Sequence, residues 1–378
     1  MFIFKKKIKT LYKRLIINLF LAVYKRPKLR KSEIDKTEKV FNVKLDKEKH
    51  QVFELKKGRV YTDTNDTTAY ITENNYISES SLQYKKFDFI NSKNQSISQN
   101  ETLKKGTPKL KKKINGIVLS LISGGASRNN FTHWFTDVIP RINIYKKKFN
   151  FKTIDKFYVP SIKHRFQLES LSYFGISKKN IITTEKFKHI EANKIYATSH
   201  PCSHKPTMVK KWSLNYLNKI YKNKNINNLP KYQKIFINRD QIKLIDKNNL
   251  NKFSGYRVLM NEKEITDYLS SIGFAIIKPE NYSFSEQVKI FSSAKYVVSL
   301  YGAAMMMLAF CKKKTNVLEI KPQKGGDEFK NISKLNKLKH IQIILKPIIK
   351  SQTPQNGLLF CPVKKIKKEL KDLGLRNI

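Results

Sequence analysis

Short apolar runs alternate with amphipathic stretches along most of the chain after residue 114. The first run, INGIVLSLI at 114–122, is continuous and ends just before Gly124 and Gly125, which is typical of a buried strand. A helix is predicted from about Asn130. Further strands are predicted at DKFYVP, NIITT and HIEANKIYATS, and a helix at HRFQLESLSYFGI. This alternation predicts a mainly parallel sheet that helices cover on both faces.

The same rhythm restarts after a polar connector rich in Asn and Lys, and we place a domain boundary near 225–231. Strands are predicted at KIFINRD, FAIIKPE, YVVSL and NVLEIKP, with helices at NEKEITDYLSSIG, SFSEQVKIFSSA and GAAMMMLAFC. The pattern predicts an α/β protein with two Rossmann-like domains, 114–228 and 229–350, that face each other across a cleft. Ligands of such sheets bind outside the carboxyl ends of the strands.

Three flanking segments depart from this rhythm. Residues 31–113 are predicted to form an N-terminal β-rich extension. Within it, the Thr- and Tyr-rich stretch 58–84 forms short strands, and the polar stretch 91–113 is a loop or linker. A tail helix is predicted within 351–378, and a helix within 1–30.

The stretch 1–30 combines basic residues with an apolar run, Leu15 to Tyr24, that is shorter than the roughly 20 residues needed to span a bilayer. A helix here would carry a row of apolar residues along one side, with Lys6, Lys9, Lys13 and Arg14 elsewhere: Ile8, Leu11, Leu15, Leu19 and Val23. Such a helix either lies on an anionic membrane surface or packs on the domain. The protein is predicted to be cytoplasmic and, in the first case, peripheral on the inner membrane face.

Composition changes the picture mainly through lysine. The formal net charge is +47, but only ten of the 76 basic residues are Arg, and no basic and aromatic stripe is present. This pattern disfavours a specific nucleic-acid reader. Lysine is the default exposed residue of this chain, so a long stretch without it indicates burial or special chemistry. Two such windows are 114–145 and 296–311.

The three cysteines, Cys202, Cys311 and Cys361, are widely spaced without a CxxC pair. That spacing disfavours a disulfide framework or a zinc site and suits a reducing cytosol.

The first lysine-free window contains SRNNFTHWFTDVIPRINIY. At 100° per residue its helix places Asn130, His133, Asp137 and Arg141 on one face and apolar residues on the other. A His with an Asp one turn later can form a general base, because the carboxylate sets the tautomer of the imidazole and raises its basicity. The alternative is a polar face docked against another element, or a structural histidine. The missing lysine favours a face that lines a cleft.

The second window ends the strand YVVSL at Tyr301, Gly302 and Ala303. Small residues at a strand-to-helix turn let backbone N–H groups approach a phosphate, although the following AAMMMLAF could be core alone. Arg239 and Arg257 also stand at element ends, where a planar two-pronged donor suits a diphosphate. Glu319 ends a strand, where its carboxylate could accept from ribose hydroxyls. No phosphate-loop, dinucleotide or metal-holding Asp-x-Asp motif is present, so no metal or other cofactor is expected.

These motifs together resemble glycosyltransferase family 61, whose bacterial members are often described as capsular polysaccharide biosynthesis proteins. The resemblance covers about residues 58–345 and rests on motifs in a specific order: NNFTHWFTDVIPRI, VPSIKHRFQLESLSYFGI, FINRD, YRVLMNE, SFSEQVKIFSSAKYVVSLYGAAM and VLEIKP. It implies a GT-B fold and an inverting transfer from nucleotide sugars such as UDP-sugars.

The resemblance also assigns residues. It puts Asn130, His133, Asp137 and Arg141 on the acceptor-side motif. The donor-side motifs hold Arg239, Arg257, Asn261 and Glu262, and the following helix holds Glu286 and Gln287. This chain departs from the family at Tyr301 and Met307, where the usual pattern is His-Gly-Ala with an Asn four residues after the Ala. A tyrosine hydroxyl can donate to a phosphate oxygen but carries no positive charge.

The predicted function is therefore sugar transfer from a nucleotide sugar to a glycan or lipid-linked acceptor in capsular or surface polysaccharide biosynthesis. His133 would be the base, oriented by Asp137. Donor contacts would come from Arg239, Arg257, Asn261, Glu262, Glu319 and the 301–303 turn. The departures at Tyr301 and Met307 keep a second hypothesis open: an inactive GT-B module that binds glycan or assembles partners. A third hypothesis is a basic nucleic-acid binder, with binding that depends steeply on salt.

Overall fold

The computed structural model of the protein describes residues 2–29, 36–62, 67–81, 83–85, 93–95, 97–122, 130–203, 205–222, 230–239, 257–351, 353 and 355–376. Contacts divide the chain into two units, the first within 1–86 and 92–207 and the second within 208–378. The second unit thus begins before the boundary predicted near 225–231. The five predicted domain ranges stay predictions.

The first unit is built on one large mixed sheet. Its described strands are β1 (Glu38–Leu45), β2 (Glu48–Lys56), β3 (Arg59–Tyr61), β4 (Ala69–Ile71), β5 (Gln83–Lys85), β6 (Lys93–Gln95), β7 (Lys112–Ser120), β8 (Lys156–Val159), β9 (Ile181–Thr183) and β10 (His189–Thr198). Its described helices are α1 (Phe2–Tyr24), α2 (Thr102–Lys105), α3 (Phe131–His133), α4 (Pro140–Lys146) and α5 (Arg165–Ser172).

The order of the large sheet is β1-β2-β10-β7-β8-β9, with β3 beside β10 and β4 beside β3, whereas β5 and β6 form a separate two-stranded sheet. The pairs β10–β7, β7–β8 and β8–β9 are parallel, as the strand and helix pattern predicts. The strands β1 to β4 pair antiparallel and join the same sheet, so the β-rich segment completes it. Val118, Tyr158, Ile190 and Ile195 lie in its core.

The prediction of a loop or linker for 91–113 is wrong over its described part. Strand β6, a 3-10 turn at Ile97–Gln99 and helix α2 lie there, and β7 begins at Lys112. The polar side chains account for the difference, because they bond inward. Asn100 is buried and donates to the Thr68 carbonyl at 3.0 Å. Hydrogen bonding therefore orders a stretch that lacks a hydrophobic period.

The second unit contains a parallel sheet with a smaller sheet beside it. Its described strands are β11 (Lys234–Ile237), β12 (Arg257–Leu259), β13 (Ala275–Ile277), β14 (Tyr296–Leu300), β15 (Asn316–Pro322), β16 (Lys339–Leu345), β17 (Ile349–Lys350) and β18 (Gly357–Leu359). Its described helices are α6 (Lys211–Tyr221), α7 (Glu262–Ser271), α8 (Phe284–Ser293), α9 (Glu328–Asn336) and α10 (Val363–Asp372), the last within the predicted tail.

The main sheet of this unit runs β13-β11-β14-β15-β16, and every pair in it is parallel. The order reverses between β11 and β14, which makes the carboxyl ends of these two strands a topological switch point. Phe236, Val298, Leu318 and Ile320 lie in the core on this sheet. The small sheet, β12-β18-β17, carries Arg257.

The helix predicted at GAAMMMLAFC is present as a 3-10 helix over Ala303–Phe310. Met305 to Phe310 are all buried. A helix that is apolar on every side is buried on every side, so these methionines are core residues.

Candidate active site

The lysine-free stretch after Asn130 folds into a helix interrupted by a wider π turn. The Asn130 side chain begins it by accepting from the backbone N–H groups of Thr132 and His133. Residues 134–138 form the π turn, in which the Ile139 N–H bonds to the Trp134 carbonyl at 3.0 Å. Pro140, which has no N–H to give, follows immediately and starts α4. Such single π turns are frequent at functional sites.

The predicted apolar face of this helix is confirmed, since Trp134, Phe135, Val138, Ile139 and Ile142 are buried. On the polar face, Asn130 is exposed and the residues after it face inward. Asp137 and Arg141 are fully buried, whereas the side chain of His133 keeps 11% of its surface exposed. For Asp137 and Arg141 this burial favours the alternative of a docked polar face. The residues of this face that reach the surface are Asn130 and His133.

Asp137 is the centre of the cluster. Its Oδ2 lies 2.5 Å from His133 Nδ1, and its Oδ1 accepts from the Thr136 hydroxyl at 2.8 Å and the Thr207 N–H at 3.3 Å. Burial alone would raise the pKa of Asp137, but the nearby imidazoles of His133 and His200 and the hydrogen bonds from His133 and Thr136 hold it well below its usual range. An ionised carboxylate only accepts, so His133 Nδ1 carries the proton.

His200 lies on the other side of this carboxylate. Its Nδ1 accepts from the Cys202 N–H at 3.1 Å, so its proton is on Nε2, which lies 3.8 Å from Asp137 Oδ2. Burial lowers the pKa of His200 to about 3, and the ring is neutral at pH 7. The cluster thus contains an ionised carboxylate between two histidines, of which His133 donates a hydrogen bond to it and His200 Nε2 lies too far away to do so.

The atoms of Asp137, His200 and Cys202 that could ligate a metal lie within 4.8 Å of one another. The proton on His200 Nε2 opposes coordination through that nitrogen, and the Cys202 N–H occupies the other one. The donor set therefore fits a hydrogen-bond network better than a metal site.

Arg141 has structural partners. Its Nε donates to the Asp137 carbonyl at 2.7 Å, and its Nη1 donates to the carbonyl and hydroxyl of Thr198 at 3.0 and 3.2 Å. With no exposed surface, this guanidinium ties α4 to the end of β10. Its assignment as an acceptor contact stays a prediction that the burial does not favour.

In the second unit, Arg239 and Gly302 lie at the switch point, just after β11 and β14. The two are in close contact, since a Cβ placed on Gly302 would come within 2.6 Å of Arg239 Nη1. A side chain at position 302 would therefore displace the Arg239 guanidinium from its present place. A cation and backbone N–H groups meet here at the edge where such sheets bind ligands.

Arg257 is buried and holds the strand ends of the second unit together. Its Nε donates to the Tyr301 carbonyl at 2.8 Å, and its Nη1 donates to Asn356 Oδ1 at 3.0 Å and to the Gln355 carbonyl at 3.3 Å. The guanidinium carbon also lies 4.7 Å from the centre of the Tyr301 ring, a cation–π arrangement. Arg257 therefore fixes the turn that follows β14.

The Tyr301 hydroxyl has protein partners as well. It donates to the Glu328 carboxylate at the start of α9 and accepts from the Gly326 N–H at 3.1 Å. Burial and the charge of Glu328 raise the pKa of Tyr301 far above its usual range, so it stays protonated. The sequence suggested a hydroxyl that donates to phosphate, whereas here its proton is directed to Glu328.

Most of the other residues on the donor-side motifs make hydrogen bonds within the second unit. Asn261 exchanges hydrogen bonds with the backbone of Cys361, Gln287 donates to the Pro279 and Tyr282 carbonyls, and Glu286 caps α8. Glu319 is fully buried, and its Oε2 accepts from His340 at 3.0 Å and Gln342 at 2.6 Å. Glu262, at the start of α7, is also buried. Their roles toward a donor stay predictions.

His200, Cys202 and Thr207 were missed at the sequence level. They lie more than 60 residues after Asp137, and helical spacing cannot connect them to it. A weak signal exists, since 195–204 is a further lysine-free run that carries two histidines and a cysteine.

The mixed α/β architecture with several sheets fits the α/β fold of a glycosyltransferase. The family model described as Glycosyltransferase 61 matches residues 131–318, a stretch that includes His133, Asp137, Arg239, Arg257 and the 301–303 turn. The match supports glycosyltransferase family 61 and, with it, a transferase that uses a sugar donor and an acceptor. No curated protein matches the chain.

Proposed function

We propose that the protein is an inverting, metal-independent glycosyltransferase of GT-B type. It would move a sugar from a nucleotide-sugar donor, with UDP-sugars the first choice, to a glycan or lipid-linked acceptor at the inner face of a membrane. The pathway would be synthesis of a capsular or other surface polysaccharide. The observation that carries the proposal is the His133 imidazole, which Asp137 holds through Nδ1 at the surface end of an otherwise buried network.

In this mechanism His133 Nε2 accepts the proton of the acceptor hydroxyl. The acceptor oxygen then forms a bond to the anomeric carbon as the bond from that carbon to the diphosphate oxygen breaks, and the configuration inverts. The departing nucleoside diphosphate gains negative charge, which Arg239 and the backbone N–H groups of the 302–303 turn would stabilise. Asp137 keeps its charge throughout and stabilises the imidazolium that forms.

A panel of UDP-, GDP- and CMP-sugars tests the proposal by two readouts, a thermal shift and release of the nucleoside diphosphate. We expect one donor class to give both, and EDTA to leave the release unchanged. The variant Arg239→Met tests the proposed contact with the diphosphate and should lose the thermal shift. A panel that gives neither readout would contradict the proposal.

A second candidate function follows from Tyr301. Because its hydroxyl donates to Glu328 and it carries no charge, the turn after β14 lacks the cation of the usual family pattern. This observation favours a module that binds a nucleotide sugar or glycan without transferring it. A thermal shift without any release of nucleoside diphosphate, with or without added acceptor, would support this second function.

A further inference from the structure

Helix α1 has two apolar faces, and the protein covers one of them. The inner face is half-buried against the first unit and consists of Ile16, Ile17, Phe20, Leu21 and Tyr24. The outer face lies roughly 150° around the helix at 100° per residue. Its residues are 52 to 62% exposed, and they form the row that the sequence predicts: Ile8, Leu11, Leu15, Leu19 and Val23.

The inner face explains why this helix packs on the unit. Leu21 packs directly on Gly106, where an added Cβ would come within 2.6 Å of Leu21 Cδ2. The Tyr24 hydroxyl accepts from the Lys111 N–H at 3.2 Å, and its ring meets His189 edge-on at 5.1 Å. These contacts need no residue of the outer face, so ordinary packing accounts for only one of the two faces.

The chain after the helix is also held in place. Asn75 donates from its side chain to the Arg26 carbonyl at 2.8 Å. The backbone of Lys28 bonds to Asn75 and Ile77 at 2.9 Å each. The end of α1 is therefore fixed to the β-rich part of the first unit on both sides of Pro27, and the outer face is presented by a rigid support rather than by a flexible tether.

Charge identifies the partner. Residues 2–29 contain nine Lys and Arg and no Asp or Glu. An exposed apolar row on a helix with cations and no anions fits the interface of an anionic bilayer, where apolar side chains enter the acyl boundary and cations meet the headgroups. Among the described residues, no helix combines the length and the apolar character needed to span a bilayer. A helix that lies in the plane of the interface needs an apolar face, but it needs neither the length nor the overall apolar character of a spanning helix.

We propose that the outer face of α1 lies flat on an anionic lipid bilayer and fixes the orientation of the first unit on it. The proposal is independent of sugar transfer, and its test uses the full chain without a donor. Vesicles of phosphatidylcholine, with and without phosphatidylglycerol, are sedimented with the protein. We expect sedimentation only with the anionic vesicles, and a loss when salt is raised.

Two triple variants distinguish this face from general stickiness. Leu11→Ser/Leu15→Ser/Leu19→Ser should weaken vesicle binding by at least about tenfold, because three exposed leucines no longer enter the interface. The matched control is Leu110→Ser/Ile344→Ser/Ile348→Ser, which removes equally exposed apolar residues elsewhere and should bind as the original chain does. Equal binding by both variants would overturn the proposal. So would a wild-type dimer in solution that the first variant makes monomeric.

The flat orientation has its own readout. Cys202, Cys311 and Cys361 are buried, so a polarity-sensitive thiol dye should react selectively at one introduced cysteine. Leu15→Cys lies on the outer face and Thr10→Cys lies roughly 160° from its centre on the same helix. We expect a blue shift with anionic vesicles at residue 15 and little at residue 10. Equal shifts, or none at residue 15, would contradict a helix that lies flat.

Discussion

Two clusters of side chains, one around Asp137 and one around Arg257, bury opposite charges. In the first unit a carboxylate, Asp137, lies at the centre and receives hydrogen bonds from His133, Thr136 and Thr207. In the second unit a guanidinium, Arg257, lies at the centre and donates to carbonyl and amide oxygens while facing the ring of Tyr301. Each arrangement offsets the cost of taking a charge out of water.

The difference assigns different tasks to the two regions. The His133 imidazole lies against the buried Asp137 carboxylate and keeps an exposed edge, so it can exchange a proton with a bound acceptor. An arginine remains charged at neutral pH, so the Arg257 cluster can set positions and electrostatic potential but cannot move a proton. We therefore expect variants of the first cluster to change turnover most and variants of the second to change stability and donor affinity.

The largest effect is expected for His133→Ala. Turnover should fall about a hundredfold or more, because the imidazole that takes the acceptor proton is gone. The chain should stay folded, with a lower melting temperature because buried Asp137 loses one hydrogen bond. His164→Ala, which alters an exposed histidine of the same unit, is the matched control and should keep its turnover. Normal turnover in His133→Ala would remove this residue from the base role and leave the first cluster purely structural.

The next effect is expected for Arg257→Lys. A lysine cannot reach the Tyr301 and Gln355 carbonyls and Asn356 together, so buried acceptors lose their donor. We expect a loss of about 2 kcal/mol of stability, seen as a fall in melting temperature of about 5 °C. Lys263→Ala removes a highly exposed ion pair with Asp267 and should shift the melting temperature by about 1 °C at most. Equal shifts in the two variants would mean that Arg257 does not hold the strand ends.

The spacing of apolar and polar residues predicts much of the fold. It also predicts two members of the Asp137 cluster, His133 and Asp137 itself. Apolar runs and their spacing predict β7 to β11 and β13 to β15, since these strands are rich in apolar residues and bounded by turn residues. The helical spacing of His133 and Asp137 correctly joins them. The same spacing cannot show that Asp137 and Arg141 face inward, because that depends on Thr198 at the end of β10 and on His200 just after it.

The second cluster was less predictable for the same reason. Arg257, Tyr301 and Glu328 come from separate elements of the second unit, and their contacts depend on how β12, β14 and α9 pack. The sequence indicates a candidate turn at Tyr301 but not the partner of its hydroxyl. It also does not distinguish a 3-10 helix from an α-helix over Ala303–Phe310, because a uniformly apolar segment has no period to reveal its geometry.

A smaller effect is expected for Gly302→Ala. The new methyl group would lie 2.6 Å from Arg239 Nη1, and the flexible guanidinium would move away from the switch point. Donor affinity should fall about tenfold, or about 1.4 kcal/mol, with little change in melting temperature. Ala303→Gly, the control at the neighbouring position, removes a methyl group instead of adding one and should keep its affinity. Unchanged affinity in Gly302→Ala would show that Arg239 does not contact the donor.

The effect that is smallest at neutral pH is expected from His200, because its contribution to stability is lost only at lower pH. Burial lowers the pKa of His200 to about 3, below the roughly 6.5 of an unfolded histidine, so the unfolded chain binds one more proton than the folded chain between these values. The contribution of His200 to the stability of the fold is therefore fully present above about pH 6.5 and is lost as the pH falls toward 3. His200→Gln should remove this contribution and flatten the loss by at most about 1.4 kcal/mol per pH unit. The slope is measured by urea unfolding at several pH values.

His189→Gln distinguishes a general effect of buried histidines from positioning of Asp137. Burial lowers the pKa of His189 to about 4, and its Nδ1 lies 3.0 Å from the Lys109 carbonyl. Both variants should therefore flatten the stability profile, because each removes a histidine that is buried in its neutral form. Only His200→Gln alters a neighbour of the Asp137 carboxylate, so only this variant should change turnover, by a few-fold. Equal turnover in the two variants would show that His200 stabilises the first unit without orienting its base.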